Sequence, residues 1–230
     1  MAEVVLALDL PDATEALRLL DRLPEVSWVK VGSILMTREG APFVRALVGR
    51  GLRVFLDLKW HDIPHTVAGA VTAARELGVS MATVHTLGGR NMMEAAAAAA
   101  AGDLALVGVT VLTSHDAATY GRATGRSDVR LADEAMRQAR EAAAAGLAGV
   151  VCSPLEVATV RSILPADGLV VVPGIRQAGD AAGDQVRVAT AGEAARAGAT
   201  HLVVGRPVLH APDPASALRL LLEEARCVGS

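Results

Sequence analysis

Apolar, β-branched runs recur along the chain at residues 4–9, 28–31, 53–59, 81–85, 104–112, 149–153, 169–173 and 201–205. Their interiors are nearly continuous Val, Leu, Ile and Ala instead of alternating with polar residues, the pattern of parallel strands buried on both faces. Between them, residues 13–23, 41–49, 66–77, 92–101, 133–145, 155–163, 191–197 and 214–225 are amphipathic or Ala-rich and predict helices. Glycines at 49, 51, 78, 146 and 198 close several of these, where a left-handed C-cap suits them. Residues 114–130, rich in Thr, Ser, Gly and Asp, read as a loop with a little helix, and the Gly/Ala/Asp-rich residues 177–185 as a mobile loop. Eight β-then-α units in 230 residues predict an α/β fold, a (β/α)8 TIM barrel in a single domain over residues 1–230. An open doubly wound sheet has the same periodicity, because the pattern cannot see closure. No G-x-G-x-x-G follows the first strand, which favours the barrel.

In such a barrel the C-terminal ends of the strands build the active site. The polar residues that end the eight runs are Asp9, Lys30, Asp57 with Lys59 and Asp62, His85, Thr113 with Ser114, Ser153, Arg176 and Arg206. Asp57 and Lys59 stand two apart on a strand, so their side chains share a face. Lys30, Asp57, Lys59 and Asp62 could alternate in sign around one point. One charged residue at a strand end is commonly a surface ion pair. Four together form an array that is costly to desolvate unless paired, and such arrays gather at functional sites. Gly174-Ile-Arg176 and Gly205-Arg206 end the seventh and eighth runs, where these barrels commonly hold phosphate. Glycine lets backbone N–H groups approach phosphate oxygens, and a guanidinium grips them bidentately.

Composition narrows the chemistry. The net charge of −3 gives no basic surface for nucleic acid. The start, MAEVVLALDL, reads as a buried strand and not as a signal peptide, and no run of about eighteen apolar residues predicts a membrane span. Cys152 and Cys227 make neither a disulfide framework nor a metal cluster, so the expected compartment is the reducing cytoplasm. Of 22 basic residues, only Lys30 and Lys59 are lysine. Where arginine is the habit, these two mark places that need a compact charge able to give up a proton. His61, His65 and His85 suggest a zinc site, but Pro64 interrupts the H-D-I-P-H spacing and no H-E-x-x-H glutamate is present. Cys152 reads as a buried structural thiol and Trp60 as packing or interface. Ser153 lacks the G-x-S-x-G context of a hydrolase nucleophile.

The string Phe55-Leu-Asp57-Leu-Lys59-Trp-His-Asp62-Ile-Pro64-His-Thr66 resembles the D-x-K-x-x-D-I-P-x-T signature of orotidine 5′-phosphate decarboxylases. Leu6-Ala-Leu-Asp9, Val29-Lys30-Val-Gly32, Val109-Thr-Val-Leu-Thr113-Ser114 and Val150-Val-Cys-Ser153 resemble other strands of that family. Pro173-Gly-Ile-Arg176, Gly183-Asp-Gln185-Val-Arg187-Val and Val203-Val-Gly205-Arg206-Pro207 complete the order, so the resemblance spans residues 4–225. One departure is Ala191, where many members have Pro. The resemblance implies a homodimer with shared sites that converts orotidine 5′-monophosphate (OMP) to uridine 5′-monophosphate and CO2 in pyrimidine biosynthesis, without metal or organic cofactor. It further implies that Lys59 protonates the carbon losing CO2, with Asp57 beside the departing carboxylate. Lys30 and Asp62 would complete the charge array, with Asp62, Ile63 and Thr66 entering from the partner subunit. Asp9 and Lys30 would bind ribose hydroxyls, and Thr113 and Ser114 would face the pyrimidine. Gln185 would lie between base and phosphate, and Arg176, Gly205 and Arg206 would hold the phosphate.

Rival readings share the barrel. Sugar-phosphate decarboxylases and synthases of the same group have D-x-K-x-x-D and a terminal Gly-Arg. They look metal-dependent, with an acidic residue where this chain has Lys30, and a cation there repels Mg²⁺. A Schiff-base aldolase would use Lys59 as nucleophile, but flanking carboxylates keep that lysine protonated. A non-catalytic phosphate-binding barrel would not need all four charges.

Overall fold

The computed structural model describes residues 1–177 and 187–226. Eight parallel strands pair in sequence order and close on themselves: β1 (Glu3–Ala7), β2 (Trp28–Gly32), β3 (Arg53–Trp60), β4 (Met81–His85), β5 (Ala105–Val109), β6 (Gly149–Val151), β7 (Leu169–Val172) and β8 (His201–Val204). The register Glu3↔His201 through Leu6↔Val204 joins β1 to β8 and excludes the open sheet. The barrel is filled by inward side chains including Val5, Ala7, Trp28, Phe55, Met81, Val107, Val171 and Val203. Outward residues such as Leu6, Val29, Leu56 and Leu202 pack against the helices in a second, larger core. Strands apolar on both faces are therefore what this architecture requires.

The helices are α1 (Ala13–Asp21), α2 (Ser33–Gly49), α3 (Pro64–Glu76), α4 (Arg90–Ala100), α5 (Ala117–Thr124), α6 (Leu131–Ala144), α7 (Val157–Arg161), α8 (Ala191–Arg196), α9 (Arg206–Leu209) and α10 (Pro214–Arg226). Their starts follow local chemistry. Asp12 accepts from Glu15 N at 2.9 Å to cap α1, and Pro64 occupies the first turn of α3, where its missing N–H costs nothing. Three differences from the sequence reading have local causes. Helix α2 begins eight residues earlier than residue 41 and breaks at Gly40, whose φ of 65° lets the chain restart at Pro42. Helix α5 is more than the little helix expected within residues 114–130, because Asp116 accepts from Thr119 N at 2.7 Å and Gly125 ends it in the left-handed region. Strand β5 stops at Val109, Thr110 N still donates to Val151 O at 3.1 Å, and residues 111–112 leave the ladder to line the cavity. No helix among the described residues is long and apolar enough to cross a membrane.

Candidate active site

A cavity of about 360 Å³ opens at the C-terminal ends of the strands. Its charged wall comes from β1, β2 and β3. Asp57 points inward from β3, and its side chain is only 13% exposed. The pairing of β3 with β4 shifts register between Leu56 and Trp60, and within this irregularity Lys59 has a φ of 52°. That conformation is strained for a residue bearing a Cβ. It is held by β4, since Lys59 N donates to Thr83 Oγ1 at 2.8 Å. Lys59 Nζ then lies 2.9 Å from both oxygens of Asp57. Thr83 Oγ1 donates to Asp57 Oδ1 at 3.1 Å. On the other side, Lys30 Nζ donates to Asp9 Oδ1 at 3.1 Å and stands 3.6 Å from Asp57 Oδ2.

The resulting row is Asp9, Lys30, Asp57, Lys59, with signs alternating. Burial pushes the Asp57 carboxyl up. The Lys30 and Lys59 ammonium groups outweigh burial, together with hydrogen bonds from Lys59 and Thr83, and hold it below the usual carboxylate range. Asp57 is therefore a fixed anion between two cations.

Other predicted residues line the cavity from the ends of β5, β7 and β8, the last of which adjoins β1. Thr113 and Ser114 line the cavity from the segment after β5, and Gly205 and Arg206 from the end of β8. Arg176 also lines it and is 7% exposed. Its segment is fixed by Arg176 N donating to Ala189 O at 3.0 Å and by a parallel bridge between Ile175 and Ala189. The carboxylate array and the two arginines thus face one cavity from different strands.

Asp62, Ile63 and Thr66 do not line that cavity within one chain. All three are exposed, Ile63 to 66%. Asp62 Oδ1 accepts from Ile63 N at 2.6 Å, and Asp62 makes no ion pair among the described residues. The four-charge array read from the sequence is therefore completed within the chain by Asp9 and not by Asp62. Gln185 and Cys227 lie outside the described residues.

Other sequence candidates resolve differently. His61 and His85 stack at 5.6 Å between ring centroids. Burial pushes His85 down to about 4, with His61, Lys59 and His115 adding to the fall. Among the described residues no group of three His, Cys, Asp or Glu is placed to hold a metal ion. Cys152 is buried on the cavity wall, and its thiol is pushed up chiefly by burial. Ser153 caps the turn Pro154–Glu156. Trp60 packs partly buried against the outer core. The residue that sequence reasoning missed is Thr83. The sequence shows only a threonine amid apolar strand residues; its full burial, on the same side as inward Met81, emerges with the structure.

A model of the "Orotidine 5'-phosphate decarboxylase / HUMPS family" matches residues 2–221. The orotidine 5'-phosphate decarboxylase of Halorhodospira halophila is 50% identical over 230 residues, covering 98% of this chain and 97% of that one. The enzyme of the same name from Alkalilimnicola ehrlichii is 51% identical over 228 residues, covering 97% of this chain and 96% of its own. Among solved structures, orotidine 5'-phosphate decarboxylase from Lactobacillus acidophilus superposes with a TM-score of 0.86 at 33% identity, covering 99% of this chain and 100% of that one.

Proposed function

The chain belongs to the orotidine 5′-phosphate decarboxylase / HUMPS family and is a carboxy-lyase, and from that premise we propose that it converts OMP to uridine 5′-monophosphate and CO2 without metal or organic cofactor. The observation that carries the mechanism is the Lys59 ammonium held 2.9 Å from both Asp57 oxygens on the cavity wall. The bond between the pyrimidine ring carbon and its carboxylate breaks heterolytically. CO2 leaves and the electron pair stays on the ring carbon. Lys59 Nζ delivers a proton to that carbon and is reprotonated from solvent after product leaves. A preorganised ammonium beside the reacting carbon stabilises the developing carbanion more than reorienting water would. Asp57, kept ionised by its two lysines, sits beside the substrate carboxylate and repels it, a repulsion that disappears as CO2 departs.

In this reading Arg176, Gly205 and Arg206 hold the phosphate, Thr113 and Ser114 face the pyrimidine, and Asp9 and Lys30 take the ribose hydroxyls. Gln185 bridges base and phosphate. Binding energy from the remote phosphate then fixes the ring against Lys59. The exposure of Asp62, Ile63 and Thr66 supports a homodimer in which these residues enter the neighbouring site. The enzyme works in the cytoplasm, on a small-molecule nucleotide and with no nucleic-acid or membrane partner.

The sugar-phosphate reading is disfavoured by Lys30. Its ammonium pairs with Asp9 and Asp57, the carboxylates a divalent cation would need. Turnover of OMP after dialysis against EDTA tests the proposal. Full retention is expected, and loss restored by Mg²⁺ would move the chain to the metal-dependent group.

A further inference from the structure

Arg187 and Glu156 form a buried ion pair away from the charge row of β1–β3. Arg187 is 8% exposed and Glu156 3%. Arg187 Nη1 donates to Glu156 Oε1. The other arm, Nη2, donates to Leu112 O at 3.1 Å and to Val111 O at 3.4 Å. Glu156 Oε2 in turn accepts from Ser153 N at 3.0 Å. Arg187 Nε is buried without an acceptor among the described residues. Burial pushes the Glu156 carboxyl up, against the Arg187 guanidinium and the Ser153 N–H.

A buried pair of this kind is a poor device for stability, since well-packed apolar residues often serve as well or better. Its connections indicate another role. Val111 and Leu112 line the cavity and lead directly into Thr113 and Ser114. Ser153 follows Cys152, which lines the cavity just after β6. Arg187 stands two residues before Ala189, whose carbonyl accepts from Arg176 N and whose backbone bridges Ile175. One guanidinium therefore ties the wall after β5, the wall after β6 and the backbone that seats Arg176. Past the end of β5, the two consecutive carbonyls of Val111 and Leu112 thus turn to the same donor.

We propose that the Arg187–Glu156 pair is a positioning strut that fixes the distance between the base-facing wall at Leu112–Thr113 and the phosphate-facing segment at Ile175–Arg176. Neither residue lines the cavity, so neither touches substrate. The inference rests on the proposed reaction. A nucleotide anchored at both ends requires that spacing to be correct, whereas a nucleoside held only by its base and ribose can settle wherever the base wall lies.

The test replaces the pair by apolar residues, Arg187→Met with Glu156→Leu, and compares OMP with the corresponding nucleoside, orotidine. The double variant should fold with a thermal midpoint equal to or above wild type. Its kcat/KM for OMP should fall about tenfold or more, the scale of a misplaced reacting group, while that for orotidine falls much less. The advantage conferred by the phosphate should therefore shrink. Arg187→Lys, which keeps the charge but loses the fork, should show the same loss of phosphate advantage, and this holds the test open if the double variant fails to fold. An unchanged ratio of the two substrates in a folded variant, with wild type active, would overturn the strut alone. A wild-type chain inactive on OMP would overturn the functional reading, and the strut with it.

Discussion

Lys59 occupies a backbone conformation that side chains other than glycine's rarely adopt, with a φ of 52°. The hydroxyl of Thr83 and the carboxylate of Asp57 hold it there, and the ammonium is aimed at a single place. Lys59→Arg preserves charge but replaces a point donor by a planar fork that does not yield its proton. Turnover of OMP is expected to fall by orders of magnitude while binding of uridine 5′-monophosphate falls far less. Near-normal turnover would remove Lys59 as the acid. On the cavity wall after β8, Arg206→Ala should cost on the order of 2–3 kcal/mol in kcat/KM for the phosphorylated substrate, the size of a charge-assisted hydrogen-bond pair. Orotidine should feel almost none of it. Equal losses on both substrates would assign Arg206 to the fold instead. The meeting of Lys30, Asp57 and Lys59 was legible in the sequence, because two lysines among 22 basic residues single themselves out. Thr83 was not, since a threonine within Met81–His85 is unremarkable until Asp57 and the Lys59 backbone are placed against it.

At the scale of elements, continuous apolar runs identified all eight strands, and closure of β1 on β8 is the step that such runs cannot reveal. Boundaries were harder to read where the chain meets a distant residue or a break. Past the end of β5, Leu112 O accepts from a guanidinium 75 residues away, and α2 is interrupted by Gly40. One glycine is demanded by strand packing rather than by a turn. Gly149 of β6 pairs with Leu169 of β7, and a Cβ there would lie 2.0 Å from Leu169 O. Gly149→Ala must displace backbone, and it is expected to lower stability by at least about 1–3 kcal/mol. In contrast, a Cβ at Gly49 meets nothing within 4 Å, so Gly49→Ala should be neutral or stabilising by about 0.4–1 kcal/mol. Urea midpoints of the two variants measure this. A Gly149→Ala protein as stable as wild type would mean that β6 and β7 approach less closely than described.

At the scale of the whole molecule, one barrel supplies Asp9, Lys30, Asp57 and Lys59 to its cavity and leaves Asp62 outside. The backbone explains that division. Lys59 ends the inward-facing part of β3, and Pro64 opens α3 three residues after the residue that follows Trp60. A residue preceding proline is driven to extended conformations, and Ile63 has φ −60° and ψ 151°. The short segment between strand and helix therefore runs along the rim, where Asp62 and Ile63 are exposed. An apolar side chain 66% exposed next to a carboxylate suits insertion into a second copy. If each site takes Lys59 from one subunit and Asp62 from the other, Asp62→Ala and Lys59→Ala chains should each be nearly inactive alone. Mixed and allowed to exchange, they should complement. A heterodimer would then hold one site with both defects and one with neither. Random exchange at equal amounts makes about half the dimers mixed, so roughly a quarter of wild-type activity should return, as two-fold symmetry requires. Recovery would be followed by OMP turnover, and exchange itself by native mass spectrometry of differently tagged chains. Proven exchange without recovery would place Asp62 in the service of its own barrel and sink the shared site, leaving the Asp9–Lys30–Asp57–Lys59 row to act within one subunit.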